Sequence, residues 1–85
     1  MKYYISKPAS HKLNENIVKG IVEIDADAVF VGNLYEADVC VMQSGWTKSK
    51  ICVADYHLAR DRHIKREESY IYTDRYTATT NSSTD

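Results

Sequence analysis

The fold is decided by residues 38–63, DVCVMQSGWTKSKICVADYHLARDRH, which have the pattern of a buried strand, a tight turn and an amphipathic helix. The first part, residues 38–43, is almost continuously apolar, as expected for a strand that is covered on both faces. Ser44 and Gly45 then interrupt the strand, and from Thr47 onward apolar residues recur at helical spacing. We predict that the rest of the chain packs around this unit.

The predicted helix carries an acidic residue next to its apolar stripe. Asp55 lies one helical turn from apolar residues on either side. An unpaired carboxylate buried there would cost several kcal/mol, so Asp55 must find a partner, open to a cleft or take up a proton. It also lies near the carboxyl end of a strand, where α/β proteins place their sites. The stripe consists of Ile51, Ala54 and Leu58, flanked by Cys52 and Ala59.

Four features of the sequence resemble one known family. They are the opening MKYYISKPAS, the segment ADVCVMQSGW, the Ser49-Lys50 step, and Asp55 followed by Ala59. The chain resembles the nucleoside 2-deoxyribosyltransferase-like superfamily, including its small phage-encoded members. The resemblance covers both ends of the family's domain. It implies a trimmed flavodoxin-like fold in which Asp55 occupies the position of the family's catalytic glutamate.

Three departures from the family pattern bear on catalysis. Asp55 replaces the longer glutamate, Lys7 replaces a glycine before Pro8, and the family's long middle segment is almost absent. Withdrawing a carboxylate by about one methylene is a misplacement of ~1 Å, which can cost ~10²-fold in rate. We therefore expect a non-catalytic protein. An enzyme would use Asp55 as nucleophile or acid, supported by Tyr3 or Tyr4, Ser6 and Ser44.

The other segments predict a small α/β domain over residues 1–76 with the element order strand, helix, strand, strand, helix, strand. We expect about four strands, with strands at residues 2–6, 28–31 and 69–73 besides the central one. Ser10 is the predicted N-cap of the first helix, which contains Leu13, Ile17, Ile21 and Ile24. Gly20 leaves residues 18–24 open between helix and strand.

Some details of the connections stay open at this point. The second and central strands form either an antiparallel hairpin or a pair separated by a loop that bridges the sheet. Residues 62–68 are predicted to be a charged connector, and Tyr70, Tyr72 and Tyr76 to share one face of the last strand. Residues 77–85 contain no large apolar side chain, so we expect a disordered tail.

Composition limits the class of protein. A chain of 85 residues corresponds to one domain. No apolar run approaches the roughly 20 residues needed to span a bilayer, and the first residues alternate like a strand rather than a signal peptide. We therefore expect a cytoplasmic protein, in the host cytoplasm if it is phage-encoded, with Cys40 and Cys52 reduced. His57 and His63 lie six residues apart on different helix faces, so we expect no metal and no cofactor.

Charge is unevenly distributed along the chain. Residues 14–38 contain six carboxylates and one lysine, whereas residues 47–66 contain six lysines and arginines and two carboxylates. The acidic side is suited to a basic protein. The basic side is suited to RNA or single-stranded nucleic acid, although cations that complement a helix dipole are an equally good explanation. The basic candidates are Lys48, Lys50, Arg60, Arg62, His63, Lys65 and Arg66.

The turn between the central strand and the central helix is a second candidate site. Backbone N–H groups at such a junction favour anions, so Ser44, Gly45 and Trp46 are predicted to bind a phosphate or nucleotide. The competing interpretation is that Trp46 only packs. No glycine-rich phosphate-binding fingerprint accompanies this turn.

Together these patterns favour a non-catalytic binding or inhibitor module of phage type. We expect it to engage a host protein, such as an RNA-handling toxin or nuclease of a toxin–antitoxin system, with RNA contact through the basic helix end. The first alternative is a nucleoside deoxyribosyltransferase or nucleotide N-glycosidase that uses Asp55. The second is a sensor of small nucleotides. We expect no membrane partner. A homo-oligomer is compatible with the sequence.

Overall fold

A computed structural model describes residues 1–74 and shows a small α/β domain. Within those residues, a four-stranded parallel sheet has the strand order β2-β1-β3-β4 and is accompanied by three helices. The strands are β1 (Lys2–Ser6), β2 (Val29–Phe30), β3 (Val39–Met42) and β4 (Lys65–Glu68). The helices are α1 (Glu15–Ile24), α2 (Lys50–Asp61) and α3, which covers residues 70–74. The predicted class is confirmed, and the fold is compatible with a trimmed flavodoxin-like domain.

The central strand is buried on both faces, as predicted. All four residues of β3 are at most 2% exposed. Because side chains alternate along a strand, Val39 and Val41 pack with α1, whereas Cys40 and Met42 pack with α2. The α1 side of the core contains Tyr3, Ile17, Ile21, Val39, Val41 and Tyr72. The α2 side contains Leu34, Cys40, Met42, Cys52 and Ala59.

The connection between β2 and β3 bridges the sheet and is not a hairpin. Both strands run parallel to β1 and lie on opposite sides of it. A short 3₁₀ turn, Leu34–Glu36, covers part of the route, and its Leu34 is buried in the α2-side core. This turn occupies the place where a larger protein of this class has a crossover helix.

Helix α1 settles the open choice for residues 18–24, which are helical. The predicted N-cap Ser10 is wrong: Asn14 caps the helix, and its side chain accepts a hydrogen bond from the Asn16 N–H at 3.0 Å. Gly20 faces α3. A Cβ atom at Gly20 would lie 2.6 Å from the Tyr72 carbonyl oxygen, so the close approach of the two helices requires glycine.

The predicted last strand is wrong in its position. Strand β4 is the charged segment Lys65–Glu68, and the predicted strand 69–73 is a turn residue, Ser69, followed by the first residues of α3. A sheet edge tolerates a charged strand because only one side of it is paired, here with β3. The helical turn buries Tyr72 and leaves Tyr70 59% exposed, so these tyrosines do not share a face. Tyr76 and the predicted tail, residues 77–85, lie outside the described residues.

Helix α2 starts later than predicted and turns a different face towards the sheet. It begins at Lys50 rather than Thr47, after Ser49 accepts a hydrogen bond from the Cys52 N–H. The small side chains of Cys52 and Ala59 face the sheet and are fully buried. The prediction is therefore confirmed for the two flanking residues of the apolar stripe and wrong for the three central ones: Ile51 is 61% exposed, Leu58 is 37% exposed, and Ala54 is exposed too.

Both cysteines are buried and unpaired, as the composition indicated. Burial, together with the nearby Asp55 carboxylate, raises the pKa of Cys40 to about 12. Its thiol is therefore protonated and unreactive at neutral pH. Among residues 1–74, no helix has the length and apolar character to cross a membrane.

Candidate site at the carboxyl ends of β1 and β3

The strand order creates a switch point between β1 and β3. The chain continues from β1 to β2 on one side, and from β3 to β4 on the other. In open α/β sheets, ligands bind outside the carboxyl ends of two such strands. Residues that follow Ser6 and Met42 therefore define the first place to look for a site.

A cleft of about 540 Å³ lies at this switch point. One wall consists of Pro8, Ala9, Ser10 and His11, which follow β1. The other wall consists of Gly45, Lys48 and Ser49, which lie between β3 and α2. The volume falls within the roughly 300–1,000 Å³ that is usual for small-molecule sites. With a lysine and a histidine in its lining, the cleft is suited to an anionic ligand.

Gln43 joins the end of β3 to β1 and to the segment that follows it, and no sequence pattern singled out this side chain. Its side-chain oxygen accepts from the Asn14 N–H at 3.0 Å, and its amide donates to the Lys12 carbonyl oxygen at 2.9 Å. Its backbone N–H donates to the Ser6 carbonyl oxygen. Gln43 is 6% exposed. A buried amide at the end of an apolar strand needs such partners, which is the signal that could have revealed it.

The predicted turn Ser44-Gly45-Trp46 contributes one residue to the cleft. Gly45 has a φ of 92°, which favours glycine, and a Cβ atom there would lie 3.0 Å from His11 Cε1. The Ser44 N–H donates to Ser69 Oγ at 3.2 Å. The Trp46 ring stacks on Tyr56 at 5.0 Å between centroids, and its Nε1–H donates to the Glu68 carboxylate. Trp46 thus packs against α2 and β4.

Asp55 lies between α2 and the sheet, and two hydroxyl groups bond its carboxylate. Asp55 Oδ2 accepts from Ser6 Oγ at 2.8 Å and from the Tyr4 hydroxyl at 3.3 Å. Of the three outcomes expected for this carboxylate, the structure shows the first, which is a hydrogen-bonding partner. Tyr3, the other predicted support, lies on the opposite face of the sheet and donates to Asp25 at 3.1 Å. Asp55 is not among the described residues that line the cleft.

Tyr4 makes the stability of the protein sensitive to alkaline pH. Burial, with the Asp55 charge and hydrogen bond, raises the pKa of Tyr4 from its ordinary value of 10.0 to about 12. Because the folded protein holds this proton more tightly, the stabilisation is complete below about pH 10 and is lost as the pH rises towards 12. We expect Tyr4→Phe to flatten the decline in unfolding free energy over this interval, measured by urea denaturation. Identical pH profiles for the two proteins would contradict this.

The predicted basic residues fall into two groups, one at each end of α2. Lys48 and Lys50 lie at the start of α2, whereas Arg60, Arg62 and His63 lie at its end, roughly 18 Å away for a 12-residue helix. Within residues 1–74, no ion pair or hydrogen bond engages the ammonium group of Lys48 or Lys50. These two lysines are available to a ligand.

The cations at the other end of α2 contact neighbouring side chains. Arg60 lies 3.7 Å from Asp61, and Lys65 lies 4.0 Å from Glu67. The guanidinium carbons of Arg62 and Arg66 lie 4.4 Å and 5.2 Å from the ring centres of Tyr35 and Tyr56. Exposed pairs of this kind are weak. They nevertheless involve four of the side chains that the sequence analysis named as candidates for nucleic-acid binding.

Comparisons with protein-family models, with characterised proteins and with solved structures found no match. The resemblance to the deoxyribosyltransferase-like superfamily therefore stays a prediction from the sequence. No group of three or more metal-ligating side chains occurs within residues 1–74.

Proposed function

We propose that this protein is a non-catalytic binding module whose switch-point cleft takes a small nucleotide. The observation that carries the proposal is the cleft of about 540 Å³ between β1 and β3, with His11 on one wall and Lys48 on the other. Its position follows the general rule for ligand sites in open α/β sheets. The resemblance in the sequence favours a nucleoside or nucleotide as the ligand class.

The phosphate of the nucleotide is assigned to the Lys48 side of the cleft. Within residues 1–74 nothing pairs with the Lys48 ammonium group, and Ser49 beside it is the N-cap of α2, whose N-terminal end favours negative charge. Gly45 allows the turn to approach the His11 wall closely. These features favour an anionic ligand over a neutral sugar.

The placement of Asp55 supports a binding role over a catalytic one. Its Oδ2 atom is engaged by Ser6 and Tyr4 beneath α2, and the described lining of the cleft does not include it. A nucleophilic carboxylate has to reach the sugar carbon that it attacks. Here the two hydroxyl groups hold the carboxylate against β1.

Calorimetric titration with adenosine 5′-monophosphate and with adenosine tests the proposal. We expect saturable binding of the monophosphate, weaker binding of the nucleoside, and a loss of roughly tenfold or more in affinity for the monophosphate in Lys48→Glu, because charge-assisted contacts are the strong ones. Lys65→Glu is the matched control, since it makes the same change on β4. Equal losses in both variants, or no saturable binding, would contradict the proposal.

A transferase or N-glycosidase is the second candidate function. It is favoured by the hydroxyl–carboxylate cluster of Tyr4, Ser6 and Asp55, which would orient a carboxylate at the end of β1. Chromatography after incubation with a deoxynucleoside and a second free base would detect exchange. Exchange that disappears in Asp55→Ala would establish this candidate in place of the binding module.

The host-protein partner inferred from the sequence stays a prediction. It concerns the far end of α2, where Arg60, Arg62, His63 and Lys65 lie away from the cleft. A pull-down from host lysate with and without ribonuclease is the direct test. A role as an inhibitor and contact with RNA both depend on that result.

A further inference from the structure

A second cavity adjoins the switch-point cleft on the outer side of α2. It has a volume of about 340 Å³ and is lined by the first two turns of the helix and by the segment before it. Lys48 and Ser49 line both cavities. The two spaces are therefore neighbours that share a rim.

The lining of the second cavity combines an apolar floor with a cationic edge. Val53 and Ala54 provide the apolar floor. Lys48, Lys50 and His57 provide the edge, and none of these three side chains forms an ion pair within residues 1–74. Apolar contact surface beside positive charge is suited to a nucleotide, whose base is largely apolar on its faces and whose phosphate is anionic.

Backbone hydrogen bonds hold the shared rim in a turn. The Ser49 N–H donates to the Trp46 carbonyl oxygen at 3.0 Å, and the Lys48 N–H donates to the Gly45 carbonyl oxygen at 3.2 Å. Trp46 is fixed in turn by its stacking on Tyr56 and by its hydrogen bond to Glu68. A preformed rim reduces the entropic cost of binding a ligand across it.

Resting on the proposed function, we propose that the ligand is a dinucleotide or the end of a single-stranded oligonucleotide. One nucleotide occupies the switch-point cleft and the next lies against Val53 and Ala54. The phosphodiester that joins them crosses the rim at Lys48 and Ser49. Lys50 and His57 flank the second nucleotide.

Affinities for a mononucleotide and a dinucleotide test the inference. Titrations use adenosine 5′-monophosphate and the dinucleotides 5′-phosphorylated ApA and dApdA, so that ribose and deoxyribose are compared. We expect a dinucleotide to bind roughly tenfold or more tightly than the monophosphate, because its phosphodiester adds a charge-assisted contact at the rim. Because Ala54 is exposed, Ala54→Trp should fold as the wild type does. The added indole should fill the second cavity and reduce dinucleotide affinity to that of the monophosphate.

The outcomes separate the two proposals. Equal affinity for monophosphate and dinucleotides, unaffected by Ala54→Trp, would overturn the second cavity as a subsite and leave nucleotide binding in the first cleft intact. Absence of saturable binding by every probe would overturn both. Glu36→Trp on the exposed turn before β3 is the control for a new surface tryptophan. A loss of dinucleotide affinity in this variant equal to that in Ala54→Trp would also overturn the subsite.

Discussion

Replacing Gly20 with alanine is expected to destabilise the protein by about 2 kcal/mol, although alanine is the better helix former by roughly 1 kcal/mol. The added Cβ atom would lie 2.6 Å from the Tyr72 carbonyl oxygen and 2.8 Å from Tyr72 Cβ. Both are fixed parts of α3, so α1 and α3 would have to separate. Overpacking of this kind costs roughly 1–3 kcal/mol.

Gly32→Ala is the matched control for Gly20→Ala. Gly32 is exposed, and a Cβ atom there would meet no atom within 4 Å. We expect its unfolding free energy to stay within about 0.5 kcal/mol of the wild type, as for most surface substitutions. Urea denaturation followed by circular dichroism measures both variants. Similar midpoints for the two variants would contradict the close packing of α1 on α3.

The parts of the fold that could be predicted depend on local pattern. Strand β3 and the turn at Gly45 were predictable because apolar continuity and a glycine break leave few alternatives. The edge strand Lys65–Glu68 was not, because its charged residues carry no strand signal and its pairing with β3 is a long-range event. Tyr72 has strand propensity, but it lies in α3 and is buried in the core on the α1 side of the sheet.

The candidate site was only partly predictable for the same reason. Local sequence located the turn at Gly45 and the isolated charge of Asp55. It could not show that Ser6 and Tyr4, about 50 residues earlier, supply the bonds to Asp55. Nor could it show that Gln43 joins the loop after β1 to the end of β3. Sites at switch points are formed by loops from separate crossover connections, so their geometry cannot be predicted without the strand order.

Asp55→Ala is expected to lower the unfolding free energy by roughly 2 kcal/mol and to leave nucleotide affinity unchanged. The substitution removes two charge-assisted hydrogen bonds and leaves the Ser6 hydroxyl, in a residue that is 1% exposed, without its partner. Asp61→Ala is the control on the same helix, since its side chain is 68% exposed, and it should change stability by less than about 0.5 kcal/mol.

A double-mutant cycle with Ser6→Ala separates the contribution of the hydrogen bond from general effects of the substitutions. If Asp55 acts through Ser6, the second substitution should cost much less in the Asp55→Ala background than in the wild type, because the group that it would orphan is already missing. Calorimetric titration of the same variants with adenosine 5′-monophosphate gives the functional half of the test. If the carboxylate only connects α2 to β1, the effects of the two substitutions on the unfolding free energy should be coupled, and all variants should bind adenosine 5′-monophosphate with the affinity of the wild type. A loss of affinity in Asp55→Ala with unchanged stability would instead place the carboxylate at the ligand and remove the physical basis for a non-catalytic module.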